Sequence, residues 1–572
     1  MDYSMLLLAC MGIPLVAALL MAVLPSKANS PAAFELVHSA SLISVATVSA
    51  LLIAAVLSGE SEIFAIGLWF RLDALGCVFI GLIGAIGLLT GIYSIPYIRH
   101  DLKIQHMNMP KVKQYYIFFN LFVFTMMLAA LSNNMIMMWV SIEATTLSTV
   151  FLVGSYKTKL ALEAAWKYVI VCTAGVAFGL YSTVLVYANA ADIMTDPTLA
   201  VFWTEVLPIA GNLDIVLVQI AFVFAVIGFG TKAGLFPMHT WLPDAHSEAP
   251  SPVSALLSGV LLKCAMLVII RFYILAVEAI GPQFPQLIML IIGIVSVAMA
   301  AFAVFSQDDL KRKLAYHSCE NIGIIALCLG FGGPIGIFAA LFHCVAHGLT
   351  KALLFTVSGN VMMKYGTRDL NKVSGIIKIA PVTGVVMAIG FFALAGFPPF
   401  AMFVSELLSI VAGVSAGAWP VVIVYVLALT VVVYACTHVV AKSVMGKPPE
   451  HVKKGDVSPL ALIPQIVLVA ALMVFGFAIP GPAIQAFEKA TGVIVQDETL
   501  TIEDIFSFED TIFDNNKDDN QPAVNSDAPP NDGSSAQPAN QSNKNSDSTA
   551  KGNKNPDAAQ KSGDIKGGSN EF

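Results

Sequence analysis

Four charged side chains interrupt apolar runs that are otherwise long enough to cross a membrane. Glu143 lies in "MMWVSIEATTLSTVFLV", Lys232 and Lys263 lie in two successive apolar runs, and Glu406 lies in "FVSELL". A charge at the centre of a bilayer costs about 2.5–3.5 kcal/mol on insertion scales, and such residues usually face the protein interior. The sequence therefore predicts ion-transfer chemistry at these positions.

A second set of titratable residues follows one face of a predicted helix. His343, His347 and Lys351 occur in "FHCVAHGLTKALLF" at positions i, i+4 and i+8, which lie above one another on a helix. Successive members are about 6 Å apart along the helix axis. This spacing suits proton hopping with intervening water.

Each of these residues also has a purely structural interpretation. Glu143 can be an ion-pair partner, and a basic residue such as Arg271 can extend its charge to the membrane surface. His343 and His347 have the spacing of zinc-binding histidines, but no third ligand is evident, and a haem would need a facing histidine such as His438. We expect no metal, and we favour an ion path because carboxylates, lysines and histidines occur together in different apolar runs.

The polar segment "HTWLPDAHSEAPSP" follows Lys232 and separates two apolar runs. It contains four side chains able to exchange protons or attract cations. We predict that they shape a cytoplasmic entrance; they are His239, Asp244, His246 and Glu248.

Two short strings predict broken helices. "KAGLFPM" contains Gly234 and Pro237, and "LAGFPPF" contains Gly396, Pro398 and Pro399. Proline removes a backbone donor and interrupts a helix. The strings lie five predicted helices apart, so the second would enter the membrane from the opposite side. Broken helices at matching positions are typical of transporters built from inverted repeats.

The composition is that of a polytopic membrane protein. Of the 572 residues 57% are hydrophobic and 12% are charged, against about 25% charged in a soluble domain. A helix needs roughly 20 apolar residues to cross the hydrocarbon core. We predict an all-α fold with fourteen spans, near 4–24, 35–57, 73–97, 115–132, 134–154, 163–188, 214–237, 252–278, 285–305, 317–331, 334–362, 379–413, 418–444 and 459–480.

These spans predict the organisation of the chain. Helices 4–8 and 9–13 form the two inverted five-helix repeats, and helices 7 and 12 are the broken ones. The predicted units are 1–110 with helices 1–3, 111–280 with the first repeat, 281–445 with the second, 446–480 with helix 14, 481–514 as an acidic and aromatic segment that docks on a partner, and 515–572 as a disordered polar tail.

Basic residues predict the orientation. They concentrate in the loops after spans 1, 3, 5, 9, 11 and 13, where Lys311, Arg312 and Lys313 represent the loop after span 9, while Arg71 is the visible exception in the alternate loops. Loops rich in Lys and Arg are cytoplasmic, so both termini lie outside the cytoplasm. The loop after span 7 contains no Lys or Arg, which indicates a structured or partly buried segment.

Three motifs carry a family resemblance. "GTKAGLFPMHTWLPDAHSEAPSPVSALLSGVLLK", "FHCVAHGLTKALLF" and "ALAGFPPFAMFVSELL" resemble signatures of the antiporter-like subunits of respiratory complex I, of Mrp antiporters and of group 4 membrane-bound hydrogenases. The likeness covers about residues 70–445. The likeness is strongest to the F component of hydrogenase-4 and formate hydrogenlyase-type complexes. The glutamate at position 406 resembles complex I chain M, because chain L has lysine there.

The resemblance implies fourteen core helices with repeats at helices 4–8 and 9–13. It also implies that Glu143, Lys232, Lys263 and Glu406 occupy ion-path positions. The acidic tail is not part of the family pattern, and the sequence contains no long lateral helix after span 14 of the kind that chain L carries.

The function that follows is proton or sodium translocation driven by a redox module. We expect a proton to enter near the helix 7–8 break, to protonate Lys232 or Lys263, to pass His343, His347 and Lys351, and to leave through Glu406, with a neighbouring subunit gating through Glu143. Two alternatives stay open: an Mrp-type sodium/proton antiporter subunit without a redox partner, and a non-conducting membrane scaffold.

The expected partners are other membrane subunits, a peripheral cytoplasmic hydrogenase or dehydrogenase module and the lipid bilayer, with no nucleic acid. No two of the eight cysteines form a CxxC pair, so we expect no cofactor in this chain. Iron–sulfur and nickel–iron centres would belong to partner subunits. The expected location is a prokaryotic cytoplasmic (inner) membrane.

Overall fold

The structure, a computed structural model, describes residues 3–25, 30–497 and 499–506. Within these ranges thirteen helices are long and apolar enough to cross a membrane. The main helices are α1 (Tyr3–Val23), α2 (Ala32–Ser58), α3 (Ala74–Lys103), α4 (Met109–Leu131), α5 (Met135–Val153), α6 (Lys159–Ile193), α7a (Ile215–Ala233), α7b (Leu242–Glu248), α8 (Ser251–Ile280), α9 (Gln283–Ser306), α10 (Leu310–Phe331), α11 (Gly333–Tyr365), α12a (Pro381–Leu394), α12b (Ala401–Ser415), α13 (Trp419–Val444), α14 (Pro459–Phe477), α15 (Gly481–Val495) and α16 (Ile502–Phe506). Shorter helical segments of the described residues are Pro197–Val201, Trp203–Val206, Leu207–Asn212, Met238–Trp241 and Ile376–Ile379.

This architecture confirms the predicted all-α multi-pass fold. The halves of α7 form one span, Ile215–Glu248. The halves of α12, 14 and 15 residues long, are each too short to cross the hydrocarbon core at 1.5 Å per residue. Together they occupy the position of the twelfth predicted span.

Both helix breaks lie where the sequence predicts them. α7a ends at Ala233, and Gly234 follows with a φ of 85°. α12a ends at Leu394, and Gly396 has a φ of 67°. This left-handed backbone region is disfavoured for residues with a Cβ, and the prolines that follow prevent the helix from continuing. The relation of the two halves as inverted repeats stays a prediction.

The start of α10 corrects the sequence analysis. Span 10 was predicted from residue 317, with the basic residues before it in a loop, but the helix begins at Leu310 and is capped by the Asp309 side chain. Lys311 and Lys313 are buried within it because their ammonium groups reach the carbonyls of Ala249 and Val304. Because these residues are charged, the mean hydropathy of this turn is as low as that of a loop, and the sequence therefore predicted a loop here.

The segment after span 7 is also structured, as its lack of basic residues indicated. Seven of its fourteen residues form α7b, and only Ala249 and Pro250 connect α7b to α8. α8 is buried along its whole apolar length, and α10 and α11 nearly so. These three helices form the centre of the bundle.

Two features outside the spans were not predicted from the sequence. A short antiparallel hairpin joins α2 to α3; its strands are β1 (Ile63–Ala65) and β2 (Phe70–Leu72). Strands of three residues leave too little periodicity to detect. After α14, α15 packs against α3 and α11.

The C-terminal segment that was predicted to dock on a partner packs, in its described part, on the chain itself. Phe487 of α15 lies against Phe338 and Phe342 of α11, with ring centroids 5.7 Å apart in both pairs. Phe506 of α16 lies 5.3 Å from Phe338. Residues 507–572, and with them the predicted polar tail, lie outside the described residues.

Candidate functional site

Lys232 lies at the last turn of α7a and is fully buried. Its ammonium group donates to the Thr146 hydroxyl and to the Tyr168 hydroxyl, both at 2.7 Å. The Trp241 ring, just beyond the helix break, lies 5.9 Å from the ammonium nitrogen. The break thus ends α7a at a lysine that is held by hydroxyls and aromatic rings.

Glu143, which the sequence allowed as an ion-pair partner, does not pair directly with Lys232. Its carboxylate accepts from Thr173 at 2.8 Å and from Thr146 at 3.4 Å. Thr146 therefore stands between the two charges, as donor to Glu143 and acceptor from Lys232. The Thr146 hydroxyl, one turn after Glu143 on α5, thus connects the Glu143 carboxylate to the Lys232 ammonium group.

Lys263 lies on α8 just after a π-helical stretch, Leu257–Leu261. Such stretches leave carbonyls without their usual helical partner and are frequent at functional sites. The Lys263 ammonium group donates to the Ser258 carbonyl at 2.5 Å. The Ser258 hydroxyl in turn contacts that of Ser318 on α10 at 2.7 Å, so the lysine lies where the three central helices meet.

The predicted polar row of α11 lies in the buried centre of the bundle. His343 contacts Ser405 through Nδ1 at 2.9 Å and Asn321 through Nε2 at 3.1 Å. The ring of His347 is 6.2 Å from that of His343. Lys351 donates to the Leu314 carbonyl of α10 at 2.8 Å.

His347 differs from its neighbours because neither ring nitrogen has a hydrogen-bond partner among the described residues. The same holds for His246 of α7b, whose ring stacks on Phe355 at 5.0 Å. Buried polar atoms are almost always hydrogen-bonded, and internal water supplies the partners that protein does not. Two buried imidazoles in this condition indicate a hydrated interior.

Two titratable residues of this centre were missed by the sequence analysis. His317 and Glu320 lie on α10, fully buried, with His317 Nδ1 3.0 Å from Glu320 Oε2. Glu320 interacts electrostatically with Lys351. The signal was the i, i+3 His–Glu pair in "AYHSCENIG", which lost its weight because the predicted helix began at residue 317.

Glu406 lies on α12b against the second helix break. A Cβ added to Gly396 would overlap the Glu406 carboxylate, so the missing side chain of Gly396 makes room for it. The adjacent Ser405 contacts His343. α12b therefore connects the break, the glutamate and the histidine row.

The four predicted entrance residues do not form one site. Glu248 lines a cavity of about 570 Å³, together with Asp101, Lys311 and Arg368. Arg368 binds Glu248 at 2.5 Å.

The other three lie elsewhere in the fold. Asp244 pairs with Lys167 and Arg312, and the His239 ring lies near those of Phe236 and Tyr316. His246 is buried below the surface. Among these four residues Glu248 alone lines the cavity.

Arg271 does not extend to the membrane surface, as one interpretation of the sequence had it. Its guanidinium group binds both carboxylate oxygens of Asp73, at 2.6 and 2.7 Å, below the Trp203 ring. Burial alone would raise the pKa of Asp73, but Arg271 and Arg71 hold it well below its ordinary value. This pair fastens the start of α3 to α8.

The described residues contain no group of three or more His, Cys, Asp or Glu side chains placed to hold a metal ion. His343 and His347 have parallel rings, and His343 uses both nitrogens for Ser405 and Asn321. The alternative haem ligand, His438, stacks on Tyr434.

Residues 132–432, the stretch that contains Glu143, both breaks and Glu406, match the family described as "NADH:quinone oxidoreductase/Mrp antiporter, TM". This stretch is more than half of the chain. The chain belongs to this family. As a family member it is a multi-pass, antiporter-like membrane subunit, as the sequence motifs implied.

Two curated relatives of this family member are named as a hydrogenase-4 component homologue and as a subunit of NADH-quinone oxidoreductase. The hydrogenase-4 component F homologue of Methylacidiphilum infernorum is 40% identical over 60% of this chain and 72% of the relative. NADH-quinone oxidoreductase subunit N of Desulforudis audaxviator is 30% identical over 63% of this chain and 69% of the relative.

A solved structure shows the same fold. A chain of the membrane-bound sulfane sulfur reductase, an archaeal respiratory membrane complex, superposes with a TM-score of 0.77 at 22% identity, over 86% of this chain and 97% of that one.

Proposed function

We propose that this chain is the ion-translocating subunit of a redox-driven membrane complex. One observation carries the proposal: buried titratable groups occupy α7a, α8, α10, α11 and α12b, with the half-buried Glu143 on α5, and the ring nitrogens of His246 and His347 have no hydrogen-bond partner among the described residues. Structural ion pairs would satisfy one another directly, as Asp73 and Arg271 do. The central lysines instead bind hydroxyls and carbonyls, which leaves them able to exchange protons with water.

The proposed route begins at the cavity lined by Glu248 and Lys311. It continues past the buried His246 to Lys263 and the α11 row, and it leaves beside Glu406. Lys232 and Glu143 form a separate control point at the α7 break. A neighbouring subunit that moves Glu143 would change the hydrogen bond through Thr146 and so the proton affinity of Lys232.

The names of the relatives support a redox module as the source of energy. They are a hydrogenase-4 component and a subunit of NADH-quinone oxidoreductase. Moving one charge against 100 mV requires about 2.3 kcal/mol, which a change of about two units in the pKa of one buried group supplies. The peripheral module, on the side with the basic loops, would contain the iron–sulfur and nickel–iron centres.

The test is Lys232→Ala in the complex as purified from its host. We expect the partner subunits to co-purify and proton pumping in vesicles to fall by about tenfold or more, because the titratable group of the control point at the α7 break is gone. Lys454→Ala is the matched control, since Lys454 is exposed in a loop and its loss should leave pumping unchanged.

The two alternatives give different results. Retained pumping in Lys232→Ala would show that Lys232 does not control transport. Unchanged transport after neutral replacement of Glu143, Lys232 and Glu406 together would favour a scaffold. Purification without any iron–sulfur or nickel subunit would favour an Mrp-type antiporter.

A further inference from the structure

A second, smaller cavity opens on the side of the bundle that carries the basic loops. It has a volume of about 190 Å³ and lies between the ends of α9, α10 and α13. Its lining includes Lys313, His438, Lys442 and Ser443. The route proposed above does not use any of these residues.

The deep wall of this cavity contains buried polar groups. Lys313 is buried and donates to the Val304 carbonyl. The Ser443 hydroxyl is buried without a hydrogen-bond partner among the described residues. It belongs to the π-helical end of α13, Val440–Val444. A buried unpaired hydroxyl next to a cavity of this size is a place for ordered water.

Neighbouring residues lead from this cavity towards the centre of the bundle. His317 lies four residues after Lys313, one turn deeper on the same face of α10. Cys436, next to the cavity-lining Ala435, lies 3.7 Å from His317 Nε2. His317 Nδ1 is 3.0 Å from Glu320, which interacts with Lys351.

We infer that this cavity is a second proton inlet, which delivers protons to Glu320 through His317 without using Lys232. Hydronium in the cavity gives a proton to Nε2 of His317, past the Cys436 thiol, and the ring releases its Nδ1 proton to Oε2 of Glu320. One proton moves and one water molecule remains in the cavity. The inference rests on the proposed function. It adds the His317–Glu320 pair and the opening at the smaller cavity to the proposed route.

The lining contains charged groups of both signs. Lys313 and Lys442 place two basic groups beside the opening, and Asp308 places a carboxylate there. A proton is passed on by histidine and water and needs no cage of oxygen ligands, so the His317–Glu320 pair suits this inlet to protons.

Cysteine accessibility tests the inlet without turnover of the complex. Ala435→Cys places a thiol on the cavity wall, and Val432→Cys places one at a buried position of the same helix that does not line the cavity. The probe is the membrane-impermeant anion 2-sulfonatoethyl methanethiosulfonate. The wild-type chain gives the background, since all eight of its cysteines are buried.

In inverted vesicles, which expose the basic loops, we expect Ala435→Cys to react about tenfold faster than Val432→Cys, because only a hydrated thiol ionises and reacts readily. Right-side-out vesicles should show no such difference. Equal rates for the two variants would overturn the inference, whatever Lys232→Ala does to pumping.

A second measurement tests the connection to Glu320. His317→Gln should lower pumping by about tenfold while co-purification of partner subunits is retained. His451→Gln, at an exposed loop position, is the control. Rapid labelling of Ala435→Cys together with normal pumping by His317→Gln would overturn the inference, because the cavity would then be wet but not connected.

Discussion

At the scale of single residues, Thr146 has the most informative position in the first half of the bundle. It is the hydroxyl through which Lys232 and Glu143 are connected. A threonine on an apolar helix gives no sequence signal of this role. Lys232 lies 86 residues after Thr146, and Glu143 lies three residues before it. The sequence predicted both charged partners and missed the group between them.

Thr146→Val removes the hydroxyl and keeps the shape of the side chain. We expect proton pumping to fall by about tenfold, because the buried Lys232 loses an acceptor, at a cost of about 1–3 kcal/mol, and the half-buried Glu143 loses a donor. Measuring pumping and electron transfer in the same vesicles separates this effect from loss of assembly.

Thr145→Val is the matched control for that variant. Thr145 is buried on the same helix, but its hydroxyl donates to the Ile142 carbonyl within α5. If the two variants pumped equally, the bridge between Lys232 and Glu143 would have no part in transport.

At the scale of elements, the sequence predicted the spans and the two broken helices well. Gly and Pro have strong local effects on the backbone, so the helix breaks at Gly234 and Gly396 could be predicted from the sequence. The start of α10 was not, because Lys311 and Lys313 are buried through carbonyls of residues far away in the chain. The His317–Glu320 pair was missed because it lay at the very start of the predicted span 317–331, where polar side chains usually reach the membrane surface. Whether the halves repeat each other stays a prediction.

Gly396→Ala tests what the second break does. Alanine at this position meets the Glu406 carboxylate and a positive φ, which alone costs about 1 kcal/mol. We expect ion pumping to be lost by about tenfold or more, because the carboxylate must leave its position. The measurement is proton pumping by complexes of matched subunit content.

Gly417→Ala separates the steric clash with Glu406 from the backbone strain of a positive φ. Gly417 has a φ of 68°, and nothing lies within 4 Å of an added Cβ. This variant should show a similar small loss of stability with normal pumping. Equal loss of pumping in both variants would mean that strain, and not the position of Glu406, limits transport.

At the scale of the whole molecule, Asp73 joins parts of the chain that are distant in sequence. It caps α3 by accepting from the Gly76 amide at 2.8 Å, and it binds Arg271, 198 residues away. Arg71 of the hairpin adds a second positive charge at 3.3 Å. The cluster holds the hairpin, α3 and α8 together at one end of the bundle.

Asp73→Asn keeps the cap and removes the charge. We expect the protein to lose about 3–5 kcal/mol of stability at neutral pH, since the buried arginine remains without its partner. Glu62→Gln should cost much less, because Glu62, the other partner of Arg71, is 33% exposed. Thermal unfolding of the purified complex measures both.

The pH dependence has a definite sign. The pKa of folded Asp73 is lowered, so the contribution of its carboxylate is fully present above the unfolded value of about 4. It is lost as the pH falls through the lowered folded value. The difference in stability between wild type and Asp73→Asn should therefore be constant from pH 7 to about 5 and shrink only in stronger acid. A difference that shrank already near neutral pH would contradict this assignment.

The contact between α15 and α2 has a consequence for biosynthesis. Lys489 and Gln485 donate to the Val56 and Leu57 carbonyls, which have no partner within the helix because α2 ends there. Lys489 follows Val56 by 433 residues, so at about 5–20 residues per second the ribosome reaches it roughly 20–90 s later. During that time the Val56 and Leu57 carbonyls at the end of α2 lack these two donors. The contact between α2 and α15 forms only after α15, nearly the last described helix, has left the ribosome.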